Sequence, residues 1–243
     1  MTALFPVKHD NAKRQRAYRE LLASMADCLI ALDQRVTRQV STRRLRVEKF
    51  RGSPYGRNEY PFVIADRGFE LMPVTRAHLS YKSLGEPVST GVPTLDELMN
   101  GGYRRASCTL ISGSSGTGKT ILAASFVRSV TRRGERVLYI DFEESEDFLV
   151  STMLSPGVDL RPSLESGYLR FVARLPESRG VEEHLVEALR LMEEIEPSFI
   201  VVDAISACRR MGSRQAAFDY LLRLVGRAKE RGGGIECCWQ WVA

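Results

Sequence analysis

Eight consecutive residues, Gly113-Ser114-Ser115-Gly116-Thr117-Gly118-Lys119-Thr120, fit the pattern GxxxxGK[ST]. That pattern has a phosphate chemistry built into it. Glycines let successive backbone N–H groups turn inward around phosphate oxygens, and a helix that starts at the end of the loop adds a favourable dipole. Lys119 supplies a positive charge for β- and γ-phosphate, and the Thr120 hydroxyl is a ligand for Mg²⁺.

Three carboxylates join the loop as candidates. Asp203 ends the apolar run FIVVD. A carboxylate at the C-terminal tip of a buried strand reaches the crevice where open α/β sheets bind ligands, and it can hold Mg²⁺ through water. Glu143 and Glu144 follow VLYID in DFEES. Either one suits a base that orients or deprotonates a water or hydroxyl facing the γ-phosphate, and chemistry alone does not separate the two. The plainer alternative is that they begin the next helix, where negative charge suits the N-terminus.

Positioning these groups requires strands that alternate with helices. TLIS (109–112) is a short strand, and VLYI (137–140), LRFV (169–172) and FIVVD (199–203) are compact apolar runs of the kind found in strands covered on both faces. ILAASFVRSVTRR, after the glycine-rich turn, suits a buried helix. Val181, Leu185, Ala188, Leu189, Met192 and Ile195 recur at helical spacing, as do Phe218, Leu221, Leu222, Val225 and Ala228. The alternation predicts a mainly parallel sheet flanked by helices. After the last helix comes GGGIECCWQWVA, where a further strand is expected but few residues remain, so the sheet is expected to be cut short at that edge.

The first 88 residues have a different texture. A short helical stretch, AYRELLASMA, precedes CLIALDQRV, STRRLRVEKF and EYPFVIAD, three strand-like runs broken by turn residues. An antiparallel β segment is predicted there, with no phosphate loop of its own.

Composition sets the outer limits. With 243 residues, 44% of them hydrophobic and 27% charged, the chain is long enough for one large domain or a domain and part of another. It has no apolar run of the ~18 residues that cross a bilayer and no apolar secretion signal near its start, and a cytoplasmic protein is expected. The +5 net charge is uneven: within residues 1–90 Lys and Arg outnumber Asp and Glu 16 to 9. Those charges are interleaved with apolar residues, and no basic surface with stacking aromatics accompanies them, which argues against nucleic acid. Five cysteines without a CxxC pair imply neither zinc nor a disulfide framework, and reduced, mostly buried thiols are expected. His9, His78 and His184 are scattered and are expected on the surface or in packing roles.

Together STGVPTLDELMNGGY, GSSGTGKT, VLYIDFEES, RLPESRGVEEHL and FIVVDAISA resemble the KaiC family of circadian clock ATPases, within the RecA-type P-loop superfamily. The resemblance runs from about Asp27 to Gly234. STRRLRVEKFRGS and NEYPFVIADRG are similar to the closing strands of the repeat that precedes such a domain in two-repeat proteins of the family. It implies a terminal β-rich part of one repeat over 1–83, a linker at 84–88, and a C-terminally truncated RecA-like ATPase domain over 89–243, so a fragment is expected. It further implies ATP and Mg²⁺ as cofactors, hydrolysis or phosphoryl transfer to a Ser/Thr hydroxyl, a homo-oligomeric, hexameric ring with signalling partners, and no membrane. In such rings basic residues of a K-x-R-G-[ST] segment reach the neighbour's γ-phosphate, and Lys49-Phe50-Arg51-Gly52-Ser53 matches that segment. The resemblance thus makes Lys49 and Arg51 a trans-acting pair; exposed strand charge is their plainer role. A DNA-stimulated recombinase-like ATPase and a nucleotide-binding scaffold without turnover are the alternative readings.

Overall fold

The computed structural model describes residues 4–7, 21–37, 40–65, 68–71, 83–231 and 234–240. The chain divides into two compact units, one of Met1–Arg35 and Arg43–Val74 and the other of Val36–Thr42 and Thr75–Ala243.

In the first unit, apart from the Val36–Thr42 ends of the first two strands, β1 (Cys28–Thr37), β2 (Val40–Phe50), β3 (Glu59–Ala65) and β4 (Gly68–Leu71) form a sheet in the order β1-β2-β3-β4. β3 pairs antiparallel with both β2 and β4. The three predicted strands are present and a fourth, GFEL, closes a hairpin on β3, where Phe62 and Phe69 stack at 4.4 Å between ring centroids. Phe62 and Val63 are buried, whereas Ile30, Leu32 and Val36 of β1 are exposed. Of the predicted AYRELLASMA helix, residues 21–25 are helical and residues 17–20 lie outside the described set.

The second unit contains a five-stranded sheet in which β7 (Cys108–Gly113), β8 (Val137–Asp141), β9 (Leu169–Ala173), β10 (Phe199–Asp203) and β11 (Gly234–Gln240) take the order β7-β11-β10-β8-β9. Every pair is parallel. A two-stranded ribbon, β5 (Pro87–Val88) with β6 (Tyr103–Arg104), precedes it and encloses helix α1 (Pro93–Leu98). The sheet corrects the expected cut edge. The last strand sits inside, bonded to β10 and β7 on its two sides. The edges among the described residues are β9 and the phosphate-loop strand β7, whose Leu110 is 59% exposed. Chain order does not set strand order once crossover helices intervene, so a late strand is free to insert centrally.

β8 and β10 are buried at all five positions, which their continuous apolar runs require. Alternate residues face opposite ways. Val137, Tyr139, Leu169, Phe171, Phe199 and Val201 pack with Ala123, Phe126, Val127 and Val130 of α2 (Lys119–Thr131) and with Leu149 and Met153 of α3 (Glu146–Leu154). Ile140, Phe142, Val172 and Arg174 face the other way, toward α5 (Val181–Ile195) and Tyr220 of α6 (Arg214–Arg231). A short helix α4 (Arg161–Glu165) leads into β9.

The inward stripe of α6 also needs correction. Ala217, Tyr220, Leu224 and Ala228 are buried, while Phe218 and Leu222 are more than half exposed. The buried four follow helical spacing around an aromatic anchor, and a single helix presents only one such stripe to a sheet. Among the described thiols, Cys28 and Cys108 are exposed where burial was expected, and Cys208 is buried. His184 fills a packing role, buried edge-on against Phe142 with Nε2 at 3.1 Å from the Pro176 carbonyl oxygen. Burial holds its pKa below the usual value. His9 and His78 lie outside the described residues.

Candidate functional site

Gly113–Thr120 joins β7 to α2 as the chemistry demands. Gly116 and Gly118 have φ of +77° and +90°, and a Cβ added at either would meet nothing within 4 Å. Glycine is required there by backbone conformation, not by crowding, and the loop's outer side stays open. Ser114 and Ser115 span the bend, and the Ser114 carbonyl oxygen accepts from Lys119 Nζ at 2.8 Å and Thr117 Oγ1 at 2.9 Å. Lys119 is 9% exposed. The lysine is thus folded back onto the loop it belongs to.

A second loop packs against the middle of α2. The segment STGVPTLDEL closes on itself because Asp96 accepts from Ser89 Oγ, Thr90 N and Thr90 Oγ1 at 2.5 to 2.7 Å. Gly91, at φ +84°, lies so near α2 that a Cβ would come within 2.3 Å of the Ser125 carbonyl oxygen. Glycine here permits the close approach.

The strand tips bring the carboxylates to the loop. β8 and β10 pair in register, Tyr139 with Val201 and Asp141 with Asp203, so Tyr139, Asp141 and Asp203 share the face that α2 covers. Asp203 Oδ2 accepts from Thr120 Oγ1 at 2.9 Å and from Tyr139 OH at 3.1 Å. Burial raises the Asp203 pKa, against the lowering effect of these two bonds and of the Lys119 charge. A hydroxyl and a carboxylate in contact at the end of a phosphate loop form the hard oxygen set that Mg²⁺ takes, with water and phosphate oxygens completing its shell. Among the described residues no cluster of three or more His, Cys, Asp and Glu competes as a metal site.

Glu143 and Glu144 stand in the turn after β8, ahead of Ser145, whose hydroxyl caps α3 by accepting from Phe148 N at 3.4 Å. They therefore precede the helix and do not form its first turn. Their surroundings differ. Glu143 is exposed and Glu144 half-buried. Burial raises the Glu144 pKa, and the nearby Asp203 and Glu143 charges raise it further. Asp141 was not a candidate on sequence. Its Oδ1 accepts from Glu143 N at 2.8 Å and Glu144 N at 2.7 Å, and burial pushes its pKa up to about 7 in spite of those two bonds. Tyr139 was also missed, since its ring reads as one more apolar strand residue.

Lys49 and Arg51 are in the other unit. Lys49 Nζ donates to the Ala23 and Ser24 carbonyl oxygens at 2.9 and 3.1 Å. Arg51 meets Asp27 Oδ1 at 3.3 Å, with side chains 63% and 79% exposed respectively.

A parallel sheet flanked by helices, with a glycine-rich phosphate loop leading into a helix and a carboxylate on a neighbouring strand tip, is a P-loop nucleoside triphosphatase fold of the RecA-like class. The model of the KaiC ATPase family matches residues 1–76 and 88–233. The chain belongs to that family. It is 38% identical over 208 residues to the circadian clock protein KaiC2 of Synechocystis, covering 85% of this chain and 37% of that protein. It is 35% identical over 188 residues to the circadian clock oscillator protein KaiC of Acaryochloris marina and 34% identical over the same length to that of Synechococcus elongatus. Each of these two alignments covers 77% of this chain and 36% of the relative. The chain thus spans a little over a third of the length of these relatives. No helix among the described residues is long and apolar enough to cross a membrane.

Proposed function

We propose that the chain binds Mg·ATP at Gly113–Thr120 and hydrolyses it, or passes its phosphoryl group to a Ser/Thr hydroxyl, as part of a ring of like subunits. The observation that carries the reading is the Thr120 to Asp203 hydrogen bond, 2.9 Å long, which ties the phosphate loop to the tip of β10. Thr120 would hold Mg²⁺ directly and Asp203 through water. Backbone amides of the loop would take phosphate oxygens, and Lys119 would exchange its Ser114 carbonyl partner for the β- and γ-phosphates. The bound ion supplies charge neutralisation at the transferring phosphoryl group.

Between the two glutamates, the proposal assigns the base to Glu144. It is the half-buried member, it feels the Asp203 charge, and its raised pKa suits an acceptor working near neutrality. Glu143, on the exposed side of the turn, would help orient the nucleophile.

The first unit is proposed as the closing β part of a preceding repeat, with 84–88 as linker, an assignment supported by the family match on both sides of residues 77–87. Arg51 is the better of the two basic residues for reaching a neighbouring subunit, since its Asp27 contact is long and exposed. Lys49 would first have to leave the helix-end carbonyls that it bonds.

Calorimetric titration of ATP tests the reading. Lys119→Ala should weaken binding by at least ~1.5 kcal/mol, the low end for a hydrogen bond to a charged group. Unchanged affinity would overturn it.

A further inference from the structure

We propose that Asp141 is a positioning residue for catalysis, holding the turn that carries Glu143 and Glu144. The inference rests on the ATPase reading above and adds a residue to it. After Asp141 the chain leaves the sheet, so the amides of the next residues lose their ladder partners and need acceptors elsewhere. The Asp141 carbonyl still serves the sheet, accepting from Arg174 N at 2.9 Å, and Phe142 N donates to the Asp203 carbonyl oxygen at 2.7 Å. Glu143 N and Glu144 N both go to one oxygen, Asp141 Oδ1.

The consequence is geometric. Phe142 N fixes the turn's start to the end of β10, Asp141 Oδ1 fixes its middle, and the Ser145 cap fixes its exit into α3. Three anchors over four residues leave the Glu144 backbone one conformation relative to Asp203. Asp141 itself is 2% exposed and on the same sheet face as Asp203. It acts through its acceptor oxygen, which sets where the glutamate side chain starts.

The full chain carrying Asp141→Ala, Asp141→Asn or Asp141→Glu tests this, with ATP turnover, ATP affinity and amide hydrogen exchange at Glu143 and Glu144 as readouts. Asp141→Ala should lower turnover by ~10²-fold, the order expected when a reacting group is misplaced by ~1 Å. ATP affinity should not change, because the phosphate loop is untouched, and the two amides should lose protection. Asn keeps an acceptor at the same place and should restore both turnover and protection. Glu keeps the charge but carries the oxygen one methylene further, and should behave like Ala; it also stands in if the Ala variant does not fold. In a Glu144→Gln background Asp141→Ala should cost nothing more, since the two act as one unit. Wild-type turnover in Asp141→Ala, multiplying losses in the double variant, or failure of Asn to rescue would each overturn the proposal. Full turnover in Glu144→Gln alone would instead sink the base assignment, and retained amide protection in Asp141→Ala would still refute the anchoring.

Discussion

Two regions of this molecule place charged residues at strand ends, and those residues end in different physical states. At the tips of β8 and β10, Asp203 and Asp141 are 5% and 2% exposed and each accepts two hydrogen bonds from groups of the site. At the end of β2, Lys49 bonds helix-end carbonyls, and the Arg51 side chain is 63% exposed and meets Asp27 Oδ1 at 3.3 Å. The first constellation is completed by its own fold. The second satisfies itself locally, and a role across subunits would require it to exchange those partners.

The comparison can be broken at several points. The largest expected effect is on the turn after β8: Glu144→Gln should lower ATP turnover by ~10²-fold or more, the range for a lost proton acceptor, with ATP still bound. Glu143→Gln should cost less. Phosphate-release assays on both decide it, and equal losses would remove the distinction drawn between the half-buried and the exposed glutamate.

Thiol reactivity sharpens the contrast between buried and exposed positions. Burial pushes the Cys208 pKa from its ordinary 9.0 up to about 12. Since the fold favours the neutral thiol, Cys208 contributes stability in full below about pH 9 and loses it as pH rises toward 12. Alkaline unfolding should therefore be less steep in Cys208→Ala. In the native protein near pH 8, alkylation should reach Cys28 and Cys108 first and Cys208 only on unfolding. Mass mapping of the labelled peptides checks this.

The smallest effect is on the β2 side. Lys49 caps the carbonyl end of the helical residues 21–25, and a cation there is worth about 0.3–1 kcal/mol. Lys49→Ala should lower the unfolding free energy read from a urea titration by that much. A larger drop would mean that the residue holds more than a helix end.

How legible the site was depends on whether its parts are neighbours in sequence. The phosphate loop is eight adjacent residues, and Asp203 ends an unmistakable apolar run, so both could be read directly. Asp141 and Tyr139 could not, because their partners are set by strand register: Tyr139 reaches Asp203 only because β8 lies beside β10 with odd-numbered residues on one face. Asp141 reads as a strand end until the two turn amides are seen to converge on it. Of the four predicted strands, β8 and β10 needed no register, since burial on both faces leaves continuous apolar runs, whereas β7 and β9 are sheet edges on which Leu110 and Arg170 are exposed. Strand order was illegible for the opposite reason: the place of β11 between β10 and β7 is decided by packing of the crossover helices, not by local composition. The α6 stripe was misread because Phe218 and Leu222 are apolar but exposed, and hydrophobicity alone does not say which of two adjacent stripes meets the sheet.

The central claim is that Thr120 and Asp203 form a Mg²⁺ site at a working phosphate loop. The most direct measurement is ATP affinity with Mg²⁺ and with chelator, in the unaltered chain and in Thr120→Ala. Mg²⁺ should tighten ATP binding in the unaltered chain by about tenfold or more, ~1.4 kcal/mol, and that gain should vanish in Thr120→Ala while metal-free binding persists. Binding indifferent to Mg²⁺, or an undiminished gain in Thr120→Ala, would contradict the account.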